Sequence, residues 1–239
     1  MTGQDTTGAA PAAPAPGTTA GAFYQGERGA AYFARQAAAG QRAATMNMRF
    51  WTPHVRPTDT IVEFGCGAGD LLAALPGDRK VGVEINPAAA ARARARGLEV
   101  HEGLASLPAA TFSRAVSSHA LEHVEAPAAV LRELRRVLRP GGELLLLLPL
   151  DDWRQRGQRH FHRDDFDMHL YAWTPLTLGN LLVASGFVPD EVRIVTHAWP
   201  PRIADALWRA SEGVFHATAR VTSVLTRKRQ LFARARPTA

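Results

Sequence analysis

Between Glu63 and Asp70 the chain reads Glu63-Phe64-Gly65-Cys66-Gly67-Ala68-Gly69-Asp70, with three glycines at alternate positions. Glycine accepts left-handed backbone and lets a ligand lie against the main chain. A second carboxylate, Glu84, stands 21 residues after Glu63. At the end of a neighbouring strand it can accept hydrogen bonds from both hydroxyls of a ribose. Two nucleoside ligands compete for such a loop. A dinucleotide needs G-x-G-x-x-G, because its pyrophosphate rests on helix N-terminal amides. Counted from Gly65, the last glycine of that pattern falls at position 70, which is Asp70. Glu63 and Asp70 flank the loop with negative charge, which repels a pyrophosphate and attracts a cation. The loop therefore favours a nucleoside that carries positive charge.

Histidines supply the other chemistry. His119 and His123 follow one predicted strand, and His160, His162 and His169 follow the next, among Asp151, Asp152, Asp164, Asp165 and Asp167. Imidazole is the usual base near neutral pH, and imidazole with carboxylate suits zinc or iron. The spacing His160-x-His162 with His169 admits a metal site. The stretch 151–171 reads first as a polar solvated loop, so no metal is expected. Cys66 has no basic neighbour to lower its thiol pKa and reads as a small filler of the loop.

These residues need a scaffold, and the hydrophobic period supplies one. Strands are predicted at 60–64, 80–85, 98–101, 112–117 and 143–148, the last a near-continuous leucine run suited to the middle of a parallel sheet. Helices alternate with them. Asp70 to Leu75 is followed by Pro76-Gly77. Asn86 caps a helix whose first position is Pro87 and which stops at Gly97. Val130, Leu131, Leu134, Val137 and Leu138 recur at helical spacing, and Pro140-Gly141-Gly142 reads as a turn. Thr174 and Pro175 open a further helix that ends at Gly186. Strands at 188–199 and 230–235 and an amphipathic helical stretch at 202–226 complete the chain. The alternation predicts an α/β fold: a doubly wound, mostly parallel seven-stranded sheet with helices on both faces.

At these residues the chain resembles class I S-adenosylmethionine-dependent methyltransferases. Glu63 to Gly69 is similar to their acid-x-Gly-x-Gly-x-Gly motif, and Val83-Glu84-Ile85-Asn86 to the motif whose acid holds the cofactor ribose. Phe112 to Val124 resembles their fourth-strand motif, and Arg139-Pro140-Gly141-Gly142 their turn before the fifth strand. The resemblance implies a Rossmann-like methyltransferase fold with S-adenosyl-L-methionine as cofactor. It places Glu63 near the methionine amino group, the backbone of Gly65, Cys66, Gly67 and Gly69 along the homocysteine part, Glu84 on the ribose and Ile85 against adenine. Many relatives carry an acid after the third strand. Here that stretch is Glu102-Gly103-Leu104-Ala105-Ser106, so adenine is expected to be read by backbone around Leu104 and Ala105. His119 is expected to touch cofactor or acceptor through its backbone. His169, and after it His123, are the candidates for an acceptor-side residue or general base. The run from His169 to Leu182 with Gly186-Phe187, and Trp199-Pro200-Pro201, resembles a subgroup often found with glycan-assembly functions.

Composition bounds the rest. The chain has 239 residues, 46% hydrophobic and 21% charged, enough for a packed core. One cysteine excludes an intrachain disulfide framework. No apolar run is long enough to span a bilayer, and no secretory signal is visible, so no membrane insertion and a cytoplasmic location are expected. Residues 1–21 are Ala, Pro, Gly and Thr with almost no large apolar side chain, and read as a disordered tail. Residues 22–239 read as a single domain, with N-terminal helices 22–56, a cofactor-binding core 57–150 and an acceptor-side region 151–239. Residues 202–239 carry the whole net charge of +6. That segment keeps a nucleic-acid methyltransferase open as an alternative. The position after the fourth strand reads Ser118-His119-Ala120-Leu121 rather than the Asn/Asp-Pro-Pro-aromatic of base methyltransferases, so a small-molecule or glycan acceptor is favoured. A non-methylating reaction of the bound sulfonium, such as cyclisation, and a homodimer also stay open.

Overall fold

The computed structural model describes residues 20–150, 160, 161, 165, 167–196 and 203–238. Most of the predicted N-terminal tail, together with Asp151, Asp152, His162, Asp164 and Trp199-Pro200-Pro201, lies outside the described residues. Helical structure begins at Ala20, so the last two residues of the predicted tail belong to the fold.

Seven strands form one sheet in the order β3-β2-β1-β4-β5-β7-β6. They are β1 (Thr60–Phe64), β2 (Arg79–Val83), β3 (Glu99–His101), β4 (Phe112–Ser118), β5 (Leu138–Pro149), β6 (Phe187–Thr196) and β7 (Arg229–Pro237). The first five pair in parallel, and β7 runs antiparallel to both β5 and β6. The leucine run explains the centre of the sheet. Leu144, Leu146 and Leu148 point into one core layer and Leu145 and Leu147 into the other, because successive strand side chains face opposite ways. The first layer is closed by α5 (Pro127–Val137) and α6 (Pro175–Ala184) through Leu131, Leu134, Leu178 and Leu182. The second is closed by Trp51, Val55 and α3 (Asp70–Ala74).

One predicted turn is absorbed by a strand. Pro140-Gly141-Gly142 lies within β5, whose register with β4 jumps from Phe112–Leu138 to Arg114–Glu143. The intervening residues loop out as a bulge, with Gly141 at φ +74°. The predicted helical stretch 202–226 is two helices, α7 (Ala204–Ala210) and α8 (Glu212–Thr226), separated by Ser211, which caps the second. At the N-terminus, α1 (Ala20–Phe23) leads into α2 (Gly26–Met46), which packs across α3 and α4 (Pro87–Ala95). This places an extra helical layer above the C-terminal ends of β1 and β2. Among the described residues no helix is long and apolar enough to cross a membrane.

Candidate active site

Strand order reverses between β1 and β4, and in open α/β sheets the crevice at that point is where ligands bind. Here a cavity of about 910 Å³ opens there, lined by the 63–68 loop, Glu84 to Asn86, 118–120 and the inner face of α2.

The glycines do different work. A Cβ on Gly65 (φ +71°) would lie 2.5 Å from that of Ala120, so the loop and the end of β4 touch only because the side chain is missing. Gly67 (φ +54°) has open space where a Cβ would go, and its backbone faces the cavity. Gly69 corrects the sequence expectation: it does not line the cavity. Its Cβ position is 2.3 Å from Leu98 Cδ1, so this glycine lets α3 start close to the segment leading into β3. Cys66 packs against Gly82, whose Cβ would sit 2.5 Å from its Sγ, and burial pushes the thiol pKa up. It is a filler, as its surroundings in the sequence implied.

Two carboxylates face this loop. Glu63 is 2% exposed, and its Oε2 makes no hydrogen bond. Burial raises its pKa well above the ordinary carboxylate range, opposed by the Leu72 amide and reinforced by Glu84 and Asp70. A buried acceptor without a donor is completed by a cationic or N–H-bearing ligand group. Glu84 accepts from the Gly67 amide through Oε2 (2.8 Å) and from the Asn86 amide through Oε1 (2.7 Å). Each oxygen keeps a second lone pair. Burial raises its pKa too, and the backbone amides pull it back. Asn86 caps α4 by accepting from Ala88 and Ala89, and its Nδ2 donates to the Gly29 carbonyl at 2.7 Å. One side chain thus ties α2 to the Glu84–Asn86 wall of the cavity. Ile85 stands 41% exposed on that wall. Asp70 reaches the cavity but is paired with Arg96 at 2.6 Å.

Leu104 and Ala105 do not line the cavity. The Leu104 side chain is in the core and its carbonyl accepts from Arg136 (2.8 Å). Glu102 takes the lining position instead. A five-residue stretch after a three-residue strand offers no phase from which to choose the inward residue.

The other end of the cavity gathers His119, Glu122, His123 and His169. His119 (φ +52°) accepts from the Gln230 amide at its Nε2 (2.6 Å), and its Nδ1 lies 3.6 Å from Glu122 Oε1. The His123 and His169 rings meet edge to face with centroids 4.8 Å apart. His160 is exposed and lies outside this group. Of the three late histidines considered for a metal, the described structure therefore brings only His169 to the site. The Tyr24 hydroxyl donates to the Asp167 carbonyl (2.9 Å) and lies 2.6 Å from His123 Nδ1. With the Tyr24 proton on Asp167, His123 Nδ1–H is the donor to Tyr24, and His123 Nε2 faces Glu122 Oε1 at 3.8 Å. Burial keeps the Tyr24 and Tyr32 hydroxyls protonated, with Asp167 and Glu122 adding to the effect. Tyr24→Phe is expected to cost about 1–3 kcal/mol of stability, the worth of the two bonds its hydroxyl makes. Urea unfolding measures it, and an unchanged midpoint would show that the contact is not formed in solution.

The sequence reading missed Tyr24, Tyr32 and Glu122 as site residues. Tyr24 lies in the turn before α2 and Tyr32 within that helix, and nothing local says that the two meet over the sheet. Glu122 lay inside a recognised motif, next to the histidine that was chosen.

The family model described as a methyltransferase domain matches residues 32–192. An Aspergillus luteorubrus protein named "Probable methyltransferase ltbC" is 28% identical over 151 residues, covering 53% of this chain and 50% of that protein. The chain spans half or less of the length of the first curated relatives it matches. Among solved structures, an S-adenosylmethionine-dependent methyltransferase from Mesorhizobium loti has a TM-score of 0.57 at 24% identity, over 80% of this chain and 95% of its own. A Haloferax volcanii protein solved with the Trm112 methyltransferase activator has a TM-score of 0.64 at 17% identity, over 88% and 96%. At such identities the structural likeness shows the fold, while the family match covers most of the chain. The orphaned Glu63 oxygen, the Gly67 backbone open to the cavity and the Glu84 carboxylate fit a cationic nucleoside. The chain belongs to the class I S-adenosylmethionine-dependent methyltransferases, with S-adenosylmethionine as its cofactor.

Proposed function

We propose that the protein methylates a small-molecule or glycan-type acceptor. What supports this is the cavity itself. At about 910 Å³ it stands at the upper end of the roughly 300–1,000 Å³ typical of small-molecule sites, so a nucleoside and a modest acceptor fit together. Its upper wall is Tyr24 and the inner face of α2, with Tyr32 and Phe33, which leaves little access for a duplex or a folded RNA. Arg234 and Arg236, two cations of the basic C-terminal segment, are held by Glu143 and Asp190, which weakens the case for a nucleic-acid surface.

In this reading Glu63 receives the cofactor's ammonium group, the Gly65–Gly67 backbone follows its homocysteine chain, Glu84 takes the ribose hydroxyls and Ile85 packs on adenine. When bound, the cofactor supplies a methyl group on a sulfonium whose thioether leaving group is neutral and needs no acid. What remains for the protein is alignment and exclusion of water. His169 and His123 take the acceptor side, where imidazole orients the acceptor and receives a proton from an alcohol. Calorimetry with S-adenosylhomocysteine, then an acceptor screen read by cofactor turnover, tests the reading. Folded protein that binds neither cofactor nor product would defeat it. Methylthioadenosine as product would point to cyclisation, and a steeply salt-dependent RNA affinity to the nucleic-acid alternative.

A further inference from the structure

We infer that Glu122, His123 and His169 hold a divalent cation at the acceptor end of the cavity, and that an oxygen of the acceptor is a further ligand to it. The inference rests on the acceptor-side reading above and makes those histidines metal ligands in place of proton acceptors.

The donor atoms are already collected. Glu122, His123 and His169 each offer one ligand atom, and all three atoms lie within 4.8 Å of one another. Glu122 Oε1 is 3.8 Å from His123 Nε2. Bonds of about 2.0–2.1 Å to a tetrahedral metal put ligand atoms roughly 3.3–3.4 Å apart. The 3.8 Å gap is longer than the ~2.7–3.2 Å of a hydrogen bond. The two atoms stand a few tenths of an ångström beyond the spacing of shared metal ligands, and closing that gap takes side-chain shifts of about 1 Å or less. Glu122 is fully buried, and a divalent cation at its oxygens would offset the cost of holding a carboxylate there.

The residues around the donors hold them in place. His123 Nδ1 is engaged by Tyr24 Oη at 2.6 Å, which directs Nε2 to Glu122. Ligating histidines are typically oriented in this way through their other ring nitrogen. His169 comes from a different segment, and two backbone contacts stitch that segment on. The Leu170 amide donates to the Glu122 carbonyl (2.8 Å) and the Tyr171 hydroxyl to the Glu125 carbonyl (2.7 Å). The loop carrying the third donor is thereby pinned beside the first two.

Two imidazoles and one carboxylate select a borderline divalent ion such as zinc, iron(II) or cobalt. All three residues line the cavity, so further coordination positions are open to the acceptor, as in catalytic rather than structural sites. The acceptor is then a hydroxyl-bearing compound. Its oxygen binds the cation, which lowers the hydroxyl pKa, and the proton passes to solvent. An oxygen electron pair forms the new bond to the methyl carbon as the carbon–sulfur pair returns to sulfur.

The test uses the full chain, stripped with chelator and desalted, then titrated with zinc by calorimetry and with cobalt(II) by visible absorption. About one equivalent is expected to bind, and His169→Ala and Glu122→Gln are each expected to weaken binding by about tenfold or more. S-Adenosylhomocysteine binding by the same samples reports whether each variant is folded. His169 sits on a loop, so its variant keeps the test decisive if Glu122→Gln does not fold. Wild-type protein that binds S-adenosylhomocysteine but takes up no stoichiometric metal overturns the inference, as does a His169→Ala variant that binds metal as tightly as wild type. Failure of the wild type to bind S-adenosylhomocysteine counts against the methyltransferase site alone and leaves the metal titration readable.

Discussion

Glu63→Gln is expected to stabilise the unliganded protein near neutral pH and, at the same time, to weaken its hold on the cofactor by about 10- to 150-fold. Both effects come from one buried carboxyl group. Burial raises the Glu63 pKa in the folded state well above its ordinary value. Above the usual carboxylate range the unfolded chain has lost this proton while the folded chain keeps it. The folded state then binds more protons, so stability falls as pH rises from that range toward the raised folded value. Glutamine has nearly the same shape and no proton to lose. Its advantage should be absent in acid and grow toward neutrality, a trend that thermal unfolding across pH can follow. The cofactor's ammonium reverses the preference by pairing with the ionised form. Cofactor binding to wild type should release a proton, detectable by calorimetry in buffers of differing ionisation enthalpy, and binding to Glu63→Gln should not. Losing a charge-assisted bond of ~1.5–3 kcal/mol gives the stated fall in affinity. A variant with wild-type affinity, or with the wild-type slope of stability against pH, would remove Glu63 from the ammonium site.

That a destabilising residue sits at the bottom of the cavity also explains what the sequence could show. Glu63 was legible because the loop that carries it is local: a buried strand, glycines at alternate positions and a helix start occur within a dozen residues. Glu84 was legible for the same reason, one strand later. The sheet centre was legible from an unbroken leucine run, since a strand covered on both faces cannot alternate. Local pattern failed where two distant surfaces decide. Gly69 looked like a third cradle residue, and only the position of Leu98 shows that it serves helix packing. Pro140-Gly141-Gly142 carried every mark of a turn, and pairing with β4 turned it into a bulge. Tyr24 meets His123 across 99 positions and Asp167 across 143. No local periodicity around Tyr24 encodes that meeting, because it depends on where the sheet places β4 and the loop after β5.

Glu84→Ala is expected to lower S-adenosylhomocysteine affinity by at least as much as Glu63→Gln, and to cost stability instead of adding it. The Glu84 carboxylate is a junction. One oxygen holds the Gly67 amide of the glycine loop and the other the Asn86 amide at the start of α4. Asn86 in turn caps α4 and binds the Gly29 carbonyl of α2. Alanine removes the ribose acceptor, worth ~1.5–3 kcal/mol, and leaves two backbone amides without their partner at about 1 kcal/mol each. The loop then loses the contact that fixes Gly67 against the cavity, so the entropy of ordering it falls on the ligand. Glu84→Gln sharpens the test. Its amide oxygen can satisfy one backbone N–H, but its NH₂ must face the other, so affinity should fall nearly as far even though volume is preserved. Equal losses in both variants, alongside an unaltered Ile85→Ala stability, would locate the defect in the carboxylate. Retained affinity in Glu84→Ala would mean that the ribose lies elsewhere, and the orientation assigned to the whole nucleoside would have to be reversed.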